Sequence, residues 1–127
     1  MSKVESMSKG GFEDLEVWRK AKEVAVEIYN LSKKFPKEDI YTLTSQIRRS
    51  SLSISCNIAE GTTYSSKKQF VHFIQIAHGS CAELRTQLII ANEVGNLDDV
   101  TYLRLKEKLL EIGRMLKGLE RSQTNTL

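Results

Sequence analysis

In the stretch KKQFVHFIQIAHGSCAELRTQLIIANEV, seven apolar residues (Phe70, Ile74, Ala77, Cys81, Leu84, Leu88 and Ala91) recur at alternating steps of four and three. This spacing lines one face of an α-helix with apolar side chains and keeps that face turned towards a neighbour along a left-handed seam. A lone helix cannot hide such a stripe from water. The rest of the chain must supply partners of the same kind, and a single proline in 127 residues leaves long stretches without a helix breaker.

Three further segments answer that demand. In FEDLEVWRKAKEVAVEIYNLSKKF, the residues Leu15, Trp18, Ala21, Val24 with Ala25, Ile28, Leu31 and Phe35 step by three or four. Acids in its first turn and lysines in its last suit the helix dipole, and Pro36 stops it. A second stripe runs through Ile40, Leu43, Ile47, Ile54 and Ile58, interrupted by Ser50 and Ser51, with Gly61 placed as a left-handed C-terminal cap. Ser65 or Ser66 then caps the third helix. After GNLDD, with Gly95 as C-cap and Asp98 as N-cap, a fourth stripe takes Tyr102, Leu105, Leu109, Ile112, Leu116 and Leu119. The spacing predicts helices over about 13–35, 39–60, 66–94 and 98–119. Residues 12–119 then form the bundle, 1–11 a disordered polar arm and 120–127 a polar tail. Short connections make sequence neighbours antiparallel neighbours, so the expected fold is all-α, an up-down-up-down antiparallel four-helix bundle.

Charge narrows the function classes. A net charge of +3, from 19 basic and 16 acidic residues spread evenly along the chain, permits nucleic-acid binding without demanding it. The opening MSKVESMSKGG has no apolar core, and no run approaches the roughly 20 apolar residues of a membrane span. A cytoplasmic protein with two reduced thiols, Cys56 and Cys81, is expected, without contact to a membrane.

The most unusual stretch is RRSSLSISCNIAEG, residues 48–61. A phosphate-cradling loop needs several glycines ahead of a helix, whereas here one glycine follows it. A serine or cysteine nucleophile needs a histidine. His72 and His78 lie about 120° apart around one helix, so they cannot share a metal, and each reads as a surface or interface residue. With no metal cluster, triad or cofactor loop, neither catalysis nor a cofactor is expected. What remains is slimness: Ser50, Ser51, Ser53, Ser55, Cys56 and Ala59 let a neighbour approach, with Trp18, Phe70 and Phe73 available to fill the space. Arg49, Cys56 and Glu60 share a stripe, which suggests a partly buried ion-pair network, with Glu83 as a second acid. Arg48 and Arg49 read either as packing and interface residues or as phosphate contacts. Asn57 and Gly61 join the interface candidates.

Beyond the four stripes the helices carry surplus apolar residues: Val17 and Tyr29, then Val71, Ile76, Ile89 and Ile90, then Leu103 and Leu110. A monomeric bundle needs an apolar arc of about 100° or slightly more. The excess predicts a second buried face, and hence self-association.

The run from FEDLEVWRKAKEV to QIRRSSLSISCNIAEG, followed by FIQIAHGSCAELRTQLIIA, resembles the bacterial four-helix-bundle proteins encoded in intervening sequences of 23S ribosomal RNA genes. The accessory variability determinant proteins of diversity-generating retroelements are related to them. The family pattern has proline and serine where this chain has Ser55 and Cys56, which suggests a straighter second helix here. The resemblance implies a ring-like homo-oligomer, typically a pentamer, with no established enzymatic activity. In the retroelement branch it implies binding of nucleic acid and of a reverse transcriptase through a basic surface. Arg19, Lys20, Lys22, Lys67 and Lys68 are the first candidates for contact with RNA or DNA, beside the arginine pair. The alternative is a protein-interaction scaffold or accessory factor.

Overall fold

A computed structural model describes residues 11–124. Among them are four α-helices and no strand: α1 (Glu16–Ser32), α2 (Leu43–Gly61), α3 (Lys67–Glu93) and α4 (Asp99–Thr124). Short 3-10 turns precede α1 (Gly11–Asp14) and α2 (Lys37–Asp39). The expected arm at 1–11 lies outside the described residues except for Gly11, which opens the first of these turns.

Consecutive helices pack against one another and α1 meets α4, so the four enclose a common core. All seven stripe residues of α3 are buried, as are Leu105, Leu109, Ile112, Leu116 and Leu119 of α4. The α2–α3 interface is the most extensive and α1–α4 the thinnest. Ion pairs bridge that thin seam: Lys20 lies 3.1 Å from Glu111, and Glu27 is held by both Arg104 and Lys108. Burial pulls the Glu27 pKa up, but the hydrogen bonds and charges of Lys108 and Arg104 outweigh it, so the carboxyl sits below its ordinary value.

Several boundaries differ from expectation, each for a local reason. Helix α1 ends at Ser32 because its last turn tightens, Lys34 N–H donating to Leu31 O and Phe35 N–H to Ser32 O. Phe35 still reaches the core. Helix α2 begins only at Leu43, since Thr42 has non-helical angles (φ −122, ψ −104). Ile40 therefore falls in the connection and is 47% exposed, not part of the core stripe. Ser50 and Ser51 do not interrupt that stripe; both are buried and continue it. The Ser51 hydroxyl is satisfied by donating to Arg48 O at 2.8 Å. Helix α2 runs unbroken past Ser55, as the missing proline suggests.

Gly61 is not a left-handed cap: it is helical, and positive φ among the described glycines occurs only at Gly11 and Gly95. Gly95 is the real case. At φ +85 it closes α3 with paired hydrogen bonds, Gly95 N–H to Asn92 O and Asn96 N–H to Ala91 O, the signature of a Schellman end. Ser66 caps α3 by accepting from Gln69 N–H, and Asp98 accepts from Thr101 N–H at 2.7 Å ahead of α4. Residues 120–124, expected in a polar tail, continue α4, because Gln123 extends the stripe four residues beyond Leu119 and is itself buried.

Candidate association face and nucleic-acid interface

The small residues of α2 bring α3 close. A Cβ added at Gly61 would lie 3.1 Å from Phe73 Cβ and 3.4 Å from Phe70 Cδ1, so two of the three expected aromatics occupy the space. Trp18, the third, instead packs its ring 4.8 Å from that of Phe12. A polar seam runs beside the contact. Ser53 and Ser80 hydroxyls meet at 2.7 Å, and the Asn57 amide donates to Ser53 O and Oγ at 2.8 and 3.0 Å. Asn57 therefore fastens α2 to itself at the α3 boundary.

Arg48 and Arg49 separate in role. Arg48 Nε donates to Ser32 Oγ at 2.8 Å, and its guanidinium sits 5.0 Å from the centre of the Tyr29 ring, so it pins α2 to α1. Arg49 points to solvent. The expected buried ion-pair network is not formed: Arg49, Glu60 and Glu83 are exposed, and none has an ion pair among the described residues. The stripe reading put Arg49 and Glu60 on one face correctly, but eleven residues at about 1.5 Å rise leave them roughly 16 Å apart.

Sequence periodicity did not mark the shallow groove on the outside of α1 and α2. It is formed by Tyr29, Ile40, Tyr41, Arg49, Leu52 and Cys56, among others, and holds about 670 Å³. Tyr41 is 91% exposed and Leu52 41%. Leu52 follows Arg49 by three and precedes Cys56 by four, so the stripe that held those two contained it. Of the surplus apolar residues, Val17 and Val71 are buried within the bundle. Tyr29, Ile76, Ile89, Ile90 and Leu103 remain exposed.

The candidate cations do not form one patch. Arg19 donates to Asp14 O at 2.9 Å, Lys20 is engaged by Glu111, and Lys22 Nζ lies 5.7 Å from the centre of the Trp18 ring. Lys67 is half-buried and Lys68 exposed at the start of α3. The two groups lie on α1 and α3, helices that share no substantial interface.

Chemistry at the thiols is limited by burial. Burial pushes the Cys81 thiol up to about 12, against the opposing charge of Arg85, whereas Cys56 is exposed. Among the described residues no three His, Cys, Asp or Glu side chains converge as a metal site. No helix there is long and apolar enough to cross a membrane.

An all-α helical bundle is the class this geometry defines. Comparison with known sequences makes it specific: residues 13–118 match the 23S rRNA-intervening sequence protein family, and the chain belongs to that family. It is also similar to the crystal structure of a protein of unknown function from the S23 ribosomal protein family of Bacteroides thetaiotaomicron. The two are 27% identical over 82% of this chain and 97% of that one, with a TM-score of 0.76. No curated protein matches the chain.

Proposed function

We propose that this chain is a non-enzymatic homo-oligomeric bundle that gathers its copies into a ring, five by the family resemblance, and holds RNA or DNA by backbone charge. The observation that carries the reading is the outer groove of α1 and α2, where Tyr29, Ile40, Tyr41 and Leu52 are exposed together. Clustered exposed apolar side chains mark an association surface. Further exposed isoleucines, Ile76, Ile89 and Ile90, lie on α3, a different helix from that groove. Two unlike faces suit a head-to-tail contact, which closes into a ring when the rotation permits.

The up-down-up-down arrangement is supported by contacts that run in opposite order along partner helices. Lys20 meets Glu111 while Glu27 meets Lys108, and Gln75 meets Glu120 while His78 meets Gly113. Between α2 and α3, Ser53 meets Ser80 while Gly61 meets Phe73.

Binding to nucleic acid draws on Arg19, Lys22, Arg49 and Lys68, which lie at or near the surface, and on repetition of each weak patch around the ring. It predicts retardation of structured RNA at low salt, fading as salt rises, with little sequence preference. No retardation at low salt, or retardation indifferent to salt, contradicts it.

A second reading, a scaffold for another protein such as a reverse transcriptase, is favoured by the exposure of Ile40 and Tyr41 in a connection, not on a helix face. Its mark is a copurifying protein that survives nuclease and high salt and is lost on Tyr41→Ala.

A further inference from the structure

On the side of the bundle away from the α1–α2 groove, α3 and α4 enclose a cleft of about 260 Å³ whose lining includes His78, Arg85, Arg114 and Lys117 and no carboxylate. Its floor is apolar, from Cys81, Leu109 and the backbone at Gly113. The imidazole lies beside Gly113: a Cβ there would meet His78 Nε2 in ordinary contact at 3.4 Å. Three permanent cations and one histidine thus surround a single opening.

Several acids of the bundle are engaged elsewhere, while Glu83 and Glu107 are exposed and have no ion pair among the described residues. Glu111 faces Lys20 across the α1–α4 seam, and Glu27 takes Arg104 and Lys108. Glu120 lies 3.6 Å from Lys117 and accepts from Gln75 at 2.7 Å, so Lys117 is the most compensated of the three. Arg85 and Arg114 have no ion pair among the described residues, and Arg85 is half-buried. A half-buried guanidinium without an anion is an open electrostatic demand, and its planar fork matches phosphate oxygens. Along α4, Arg114, Lys117 and Arg121 continue the same side at steps of three and four, with the acid Glu107 one heptad before Arg114 on that side.

We infer that the α3–α4 cleft seats a phosphate group, with Arg85 and Arg114 as its principal contacts and Lys117 and His78 at the rim. Resting on the nucleic-acid reading above, this places the contact on a face that none of Arg19, Lys22 or Arg49 occupies. The phosphate comes either from an RNA backbone or from a free polyphosphate.

The test is fluorescence anisotropy of a labelled RNA hairpin with the full chain, its R85Q/R114Q variant, its R85K/R114K variant and a K33Q/K37Q variant, each checked for unchanged helicity. R85Q/R114Q is expected to bind about tenfold more weakly at low salt and to lower the slope of log K against log salt by about two. R85K/R114K, which keeps the charge, retains most of the affinity, and K33Q/K37Q, at exposed lysines beyond the end of α1, stays close to the parent. Parental binding by R85Q/R114Q overturns the inference while leaving the nucleic-acid reading intact. If the parent chain does not bind the hairpin, that reading fails and the cleft is judged on inorganic tripolyphosphate. Resonance shifts at Arg85 and Arg114 on its addition, absent in R85Q/R114Q, sustain the seat; their absence in the parent overturns it.

Discussion

A methyl group at Gly61 would sit 3.1 Å from Phe73 Cβ, tighter than most such contacts, so the last turn of α2 rests this closely on α3 because residue 61 has no side chain. The backbone there is helical, so alanine gains about 1 kcal/mol in propensity. The clash is with an atom anchored to the α3 backbone, and overpacking costs about 1–3 kcal/mol. Gly61→Ala should therefore lower the denaturant midpoint. Gly118, on exposed α4 with nothing within 4 Å of an added Cβ, supplies the contrast, since Gly118→Ala should raise it. Stabilisation by Gly61→Ala would contradict the packing.

Glu27 makes the fold acid-sensitive. Its folded pKa lies below the ordinary 4.5, so its contribution to stability is full above that value and is lost as pH falls through the folded pKa. Arg104 and Lys108 are about half exposed, so screening keeps the contribution to about 1 kcal/mol at low salt. Glu27→Gln should remove that amount at neutral pH and flatten the stability profile below pH 4.5. An unchanged profile would show that the α1–α4 seam does not depend on this carboxylate.

The two cysteines should part company towards a thiol reagent. Cys56 is exposed and reacts in the native protein, whereas Cys81, buried and pushed up to about 12, reacts only on unfolding. Since Cys56 borders the outer groove, its rate should fall as protein concentration rises and copies cover it. Two equally fast thiols would contradict the core packing, and a concentration-independent rate would place Cys56 outside the association face.

Leu52→Glu puts a charge in the middle of that groove without touching the core, since Leu52 is exposed. Helicity and melting of the separate subunit should hold while the assembly dissociates. An assembly of unchanged size would move the interface elsewhere.

Much of this architecture is legible in the residues. The heptad steps of α3 predict its buried face in full, because long periodic segments average out local preferences. Ile40 misleads because spacing alone cannot show that the chain turns after Pro36 and leaves the helix again at Thr42. Gly61 has two uses, cap and close approach, and only packing against Phe73 decides between them. The Arg49–Glu60 stripe fails on distance along the axis, which a face-by-face reading ignores. The α3–α4 cations escape notice because they come from two helices, and on α4 they alternate with Glu107, Glu111 and Glu120 along the sequence. Charge counted face by face along α4 would have revealed half of that cleft.

The claim that the exposed groove is covered by further copies meets its most direct test in sedimentation equilibrium of the full chain at micromolar concentration and moderate salt. The mass should be a multiple of the 14.4 kDa chain, with five copies expected, and should drop to one copy on Leu52→Glu. A single species of 14.4 kDa across the concentration range would contradict it.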